Sequence, residues 1–160
     1  MDVIRFELRP PMEEYWKDQA LHIFINGDNL IDLVREIERP FALKEGSLEI
    51  AGAYDGLPVS EIGSAKDHFL GRPQPILNYG AKTVLLGCTC GIVDCWPLLA
   101  RVIVGDRTVT WSDFEQPHRR VNSAAGEWRY DDFGPFVFDR DQYVTELERV
   151  DRELGCSSAG

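Results

Sequence analysis

The chain has 160 residues, 44% hydrophobic and 28% charged, which fits one globular domain over residues 1–160 rather than a disordered or membrane-embedded class. Seventeen Lys and Arg against 27 Asp and Glu give a net charge of −10, which disfavours nucleic acid and anionic membrane as partners and admits a basic protein. The densest basic run, His118-Arg119-Arg120, is too short to reverse that reading.

No run of about 20 apolar residues marks a transmembrane helix. The N-terminus, Met1 to Glu7, carries acids where a secretory signal would have a basic region. The expected compartment is therefore the cytoplasm, where thiols stay reduced.

Val3, Ile4, Phe6 and Leu8 predict a first strand closed by Pro10-Pro11, and residues 21–25 a second, ended by the turn pair Asn26-Gly27. Asp28 or Asn29 caps a helix near residues 29–38, whose Leu30, Leu33, Val34 and Ile37 follow helical spacing, and Pro40 is expected to stop it. Between about 41 and 82, six glycines and three prolines predict short strands joined by loops. Residues 83–86 form a strand entering a cysteine loop. Residues 98–104 and 108–111 then flank Gly105-Asp106, a two-residue hairpin turn that would bring Leu99 near Val109 or Thr110. In the second arm Val109 and Trp111 share one face.

Trp128, Tyr130, Phe133, Phe136 and Phe138 predict a further strand region bent at Gly134-Pro135. Asp139 followed by Gln142 makes a capping-box pattern for a C-terminal helix, with Tyr143, Leu147, Val150 and Leu154 as its apolar stripe and Gly155 placed to end it. The ordered part is expected over about 2–155. Strands outnumber helices and hairpins join them, so the expected fold is an α+β domain with a mainly antiparallel sheet and a C-terminal amphipathic helix.

The chemistry concentrates in Gly87-Cys88-Thr89-Cys90-Gly91-Ile92-Val93-Asp94-Cys95-Trp96-Pro97. Three cysteines within eight residues offer three thiolates to a structural zinc ion, which takes four ligands in a tetrahedron. His118 is the expected fourth ligand, because the hairpin that leaves Cys95 directly returns the chain there. Cys156, in a tail of small residues, is the poorer choice. Two other readings stand beside zinc. The cysteines are equally read as small buried groups on a tight turn, or as the centre of a thiol-dependent enzyme or redox sensor. The last needs a depressed thiol pKa, against which Asp94 works by charge repulsion, and the Cys-x-x-Cys spacing of thioredoxin-like enzymes is missing.

The Cys-x-Cys-x4-Cys spacing resembles the zinc-binding tail that follows some SET methyltransferase domains. That resemblance covers eight residues and brings no catalytic motif. Trp111-Ser112-Asp113-Phe114-Glu115-Gln116-Pro117-His118-Arg119 reads either as an aromatic and cationic binding ledge or as a strand end with its aromatics packed inward. No Gly-rich nucleotide loop and no Gly-x-Ser-x-Gly elbow occurs. His22, inside an apolar run, reads as a satisfied half-buried histidine.

Taken together, the cysteine loop, Trp-x-x-Phe-x-Gln-Pro-His-Arg and Phe-Gly-Pro-Phe-x-Phe-Asp-Arg-x-Gln-Tyr resemble a set of bacterial proteins without an assigned activity. The similarity spans roughly residues 84–147 and implies neither a function nor a catalytic residue. The expectation is a non-enzymatic binding or accessory domain with a zinc site at Cys88, Cys90, Cys95 and His118. Its alternatives are a thiol enzyme or sensor and an immunity- or antitoxin-type protein that binds a basic partner.

Overall fold

Alternating burial starts the chain as a strand: in β1 (Ile4–Arg9), Ile4 and Phe6 are buried while Arg5 is exposed. The computed structural model describes residues 1–13 and 18–159; the side chain of Cys156 lies outside what is described. All six residues of β2 (Ala20–Ile25) are buried, and the strand pairs antiparallel with β1 from Ile4 opposite Ile25 to Arg9 opposite Ala20. Asn26 (φ 54°) and Gly27 (φ 90°) form the two-residue turn into β3 (Asp28–Asn29). Asn and Gly tolerate this left-handed backbone, which matches the twist of the flanking strands.

Helix α1 (Leu30–Lys44) begins where expected, with Asn29 Oδ1 accepting from the Ile31 amide at 2.9 Å. It does not stop at Pro40, which lies inside it. Proline's fixed φ is helical, so the residue removes one hydrogen bond and leaves the direction of the chain intact. The following turn is anchored by the fully buried Ala42 and by Glu45, which accepts from Trp128 Nε1 at 2.6 Å and Arg119 Nε at 3.1 Å.

The glycine- and proline-rich middle contains the short strands β4 (Tyr54–Asp55), β5 (Leu57–Pro58) and β6 (Asn78–Tyr79). It also contains two short helices that no sequence pattern predicts, α2 (Val59–Ile62) and α3 (Ala65–Phe69). Elements of four or five residues show no periodicity. Tertiary contacts form α3: Asp151 accepts from the amides of Ala65 (2.7 Å) and Lys66 (3.1 Å).

The larger sheet uses β7 (Lys82–Cys88), β8 (Leu98–Val104), β9 (Thr108–Glu115) and β10 (Phe136–Asp139) in the order β10-β9-β8-β7-β4, with β6 also on β7. The smaller sheet is β1-β2-β3, with β5 on β2. All strand pairings named here are antiparallel, and one parallel bridge, Asp2 to Phe138, links the sheets. The fold is α+β, as the hairpin pattern predicts.

Two details differ from expectation. The β8–β9 turn is centred on Asp106-Arg107, with the Gly105 amide donating to Thr108 O at 2.8 Å, so Leu99 faces Glu115 rather than Val109 or Thr110. A bulge sets Asp113 and Phe114 against the single residue Ala100, with Asp113 at φ 53°. Residues 128–135 are irregular rather than a strand, and only 136–139 pair. Trp128, Tyr130 and Phe133 are buried nonetheless, so their apolar signal reports burial without reporting a strand.

Helix α4 (Arg140–Ala159) passes through Gly155, which was expected to end it. Tyr143, Leu147 and Val150 are buried and Leu154 packs beside them, as the stripe predicts. Asp139 Oδ2 accepts from the Gln142 amide at 3.0 Å. The other half of the capping box is absent because the Gln142 side chain turns to β1, donating to Ile4 O (2.7 Å) and accepting from Ile4 N (3.3 Å). Glu146 accepts from Phe6 N at 3.0 Å, and Arg149 donates to Phe6 O at 2.7 Å. Three helix side chains thus satisfy the open edge of β1. Burial opposes ionisation of Glu146, but Arg149 and the Phe6 amide overcome it and hold the carboxyl below its usual range. Glu146→Ala strands the Phe6 amide and one side of Arg149, so it is expected to cost about 1–3 kcal/mol in denaturant unfolding. A loss under about 0.5 kcal/mol would contradict the clamp.

His68 on α3 is fully buried, its Nε2 donating to Val84 O at 2.7 Å. Burial pushes its pKa below the usual 6.5. The native state therefore resists a proton that the unfolded chain accepts, and stability is complete above pH 6.5 and declines as pH falls below it. Melting curves between pH 7.5 and 5.5 should show that decline, with a shallower slope in His68→Gln; equal slopes in the two proteins would dismiss His68 as the cause.

Candidate functional site

The cysteine loop hangs between β7 and β8. Cys88 ends β7 opposite Tyr54, the Gly91 amide closes a turn onto Cys88 O at 3.1 Å, and a 3-10 turn (Val93–Cys95) leads to β8. Gly87 is closely packed: a Cβ there would lie 3.2 Å from Val93 Cγ2 and 3.3 Å from Val93 Cα, so Val93 would have to give by a few tenths of an ångström. Gly91, at φ 89°, supplies the left-handed residue that folds the loop back.

All three cysteines are free, Cys95 exposed and Cys88 and Cys90 half-buried. Cys90 lies between the other two in sequence, its Sγ 3.9 Å from the Ile92 carbonyl oxygen. Burial works against a Cys90 thiolate, but hydrogen bonds with the Ile92 backbone and with the two flanking thiols outweigh it, and its pKa is lowered. Burial raises Cys88, while Cys95 is raised first by its bond to Cys90, with Asp94 repulsion contributing least. Cys90 is thus the most readily ionised of the three. Among the described residues, no group of three or more His, Cys, Asp or Glu stands arranged to hold a metal ion.

The hairpin brings His118 back to this loop. Its Nε2 lies 2.8 Å from the Asp94 carbonyl, its ring stacks on Trp96 at 6.3 Å, and Tyr79 Oη donates to the Asp94 carboxylate. Because a carbonyl only accepts, Nε2 carries the proton and Nδ1 is the unprotonated nitrogen of the neutral ring. Arg119 lies 4.8 Å from the Trp96 ring and 5.8 Å from that of Trp128. The inward-packing reading holds for part of the 111–119 segment. Trp111 and Phe114 pack inward, whereas His118 and Arg119 build a ledge with the two tryptophans.

Beneath the ledge lies a polar centre built on Glu38. Glu38, fully buried on α1, accepts from Tyr54 Oη (2.5 Å), Tyr130 Oη (2.6 Å) and Gly52 N (2.8 Å). Gln116, 1% exposed, donates to Tyr54 Oη at 3.1 Å and Pro97 O at 3.0 Å and accepts from the His118 amide at 3.1 Å. Burial raises the Glu38 pKa in spite of its donors, and burial together with the Glu38 charge raises Tyr54, keeping that hydroxyl protonated and donating. A glutamate in register with Leu30, Val34 and Ala42 on the buried face of α1 was the signal for it.

His22 is buried rather than half-buried. Asn29 Nδ2 donates to its Nδ1 at 3.1 Å, and its Nε2 donates to Asp55 Oδ1 at 3.1 Å. Both ring nitrogens are engaged, so this pair offers no free base to a substrate. Asp55 and Cys88 share the wall of a small cavity of about 110 Å³.

Removing the Glu38 carboxylate leaves three buried donors without an acceptor. Glu38→Ala should cost about 3 kcal/mol or more and Glu38→Gln clearly less, both read from denaturant unfolding; equal costs would show that packing, not hydrogen bonding, holds this centre. No protein-family model, curated protein or solved structure matches the chain.

Proposed function

We propose that this protein is a non-enzymatic binding or accessory domain stabilised by a zinc ion at Cys88, Cys90, Cys95 and His118. The observation that carries the reading is the return of His118 to the loop of Cys88, Cys90 and Cys95, where its Nε2 donates to the Asp94 carbonyl at 2.8 Å. The donor set fits zinc, which prefers thiolates and imidazole, while closing the set round one ion requires the loop to tighten. Nε2–H bonded to a backbone carbonyl is the outer contact that metal-bound histidines make, and it leaves Nδ1 for the ion. The rival reading, a thiol enzyme or redox sensor, draws on the same acidified Cys90. A net charge of −10 supports a basic protein as the binding partner.

Elemental analysis of untagged protein from zinc-replete cells is expected to give close to one equivalent of zinc. Less than about half an equivalent removes the assignment. A chelator should expose the thiols and lower the melting temperature together, because metal affinity at a structural site is folding free energy. Fast modification of Cys90 near neutral pH without any chelator effect would favour the thiol rival. His118→Ala with unchanged zinc content and melting would remove His118 from the ligand set.

A further inference from the structure

A second site shares Arg119 with the ledge beside the cysteine loop. Between the bulged part of β9 and residues 127–135 lies a cavity of about 590 Å³, within the range that holds small-molecule ligands. Its wall carries five of the chain's 17 Lys and Arg and four of its 27 Asp and Glu, a small positive balance in an acidic protein, and each of the five cations pairs with a carboxylate.

Two of these cations are prepared for a ligand. Arg101 Nε donates to Asp113 Oδ2 at 3.0 Å, and the bulge with Asp113 at φ 53° is what places that carboxylate there. Arg119 Nε donates to Glu45 at 3.1 Å and its Nη1 to His118 O at 2.8 Å, with the guanidinium lying over Trp96 and Trp128. Each guanidinium is thus buttressed through Nε, while both Nη groups of Arg101 and Nη2 of Arg119 have no hydrogen-bond partner among the described residues. A guanidinium fixed at one edge and open at the other matches the paired oxygens of a carboxylate or phosphate. Phe114, Phe133 and Tyr130 supply rigid aromatic wall beside them.

We propose that this cavity binds a small oxyanion that carries a flat apolar group, held by Arg101 and Arg119 and packed against the aromatic wall. The oxyanion chemistry is shared by carboxylates and phosphate monoesters, and the cations recognise either.

The test titrates the full chain with phenyl phosphate, benzoate and benzyl alcohol at constant ionic strength, following Trp fluorescence and arginine Nε NMR signals. Saturable binding of either anion, at least about tenfold tighter than benzyl alcohol, is the expected result. The anion preferred identifies the ligand class. Arg101→Gln, whose side chain is 44% exposed and whose loss disturbs one surface ion pair, should weaken the anion at least about fivefold with little change in melting. Arg119→Lys should weaken the anion similarly, because it keeps the charge and loses the fork, with a lower melting temperature from the lost Glu45 contact. Equal binding of benzyl alcohol, no saturation below about 20 mM, or unchanged affinity in folded Arg101→Gln would each overturn the proposal.

Discussion

A carboxylate without access to water holds the centre of this molecule. Glu38 can be there only because three donors converge on it, and those donors come from distant parts of the chain: Gly52 and Tyr54 from the segment after α1, and Tyr130 from the irregular stretch before β10. An ion in this position would cost several kcal/mol if unpartnered, so the interior tolerates it in one arrangement and penalises the others. The constraint passes outward through Gln116, whose amide group fixes Pro97 on one side and His118 on the other. The position of the cysteine loop relative to the ledge therefore depends on a hydrogen-bond network beneath both.

The second organising contact is apolar. Trp111 on β9 donates from Nε1 to Tyr143 on α4 at 3.0 Å, and Tyr143 donates to Phe69 O on α3 at 2.5 Å. Phe138 meets Trp111 edge-on at 5.2 Å, and Phe6 from the other sheet meets Phe69 at 4.9 Å. Buried aromatic groups with polar atoms need their partners supplied locally, and here each supplies the next. The two sheets, α3 and α4 are keyed together by this chain of rings.

Local rules wrote the ends of most elements legibly. Asn29 and Asp139 cap their helices as their side chains predict, Asn26-Gly27 turns its hairpin, and Val109 and Trp111 face inward together. The misreadings have a common cause, which is that long-range contacts overrode a local signal. Pro40 reads as a stop, but Ala42 and Glu45 are worth more to the fold than the one hydrogen bond proline removes. The 128–133 aromatics read as a strand because burial and strand propensity share residue types. The hairpin register differs because the turn centres on Asp106-Arg107 and because nothing in Ser112-Asp113-Phe114 announces the extra residue of the bulge. At the site, the nearness of His118 to the cysteine loop was legible from the hairpin and the burial of Glu38 from its helical register, whereas the partners of Glu38 and the arginine-lined cavity were not. Those features exist only once residues far apart in sequence meet.

The clamp of α4 on β1 also carries a geometric coincidence. Four residues of helix rise about 6.0 Å, and two residues of strand rise about 6.6 Å, so Gln142 and Glu146 fall almost opposite Ile4 and Phe6. For this short distance the helix presents donors and acceptors at the repeat of a neighbouring strand. The match drifts with length, and by Val150 the helix offers only an apolar side chain. What results is a sheet edge completed by an element of the other class, and a strand from another molecule approaching β1 finds its hydrogen-bonding positions at Ile4 and Phe6 already taken.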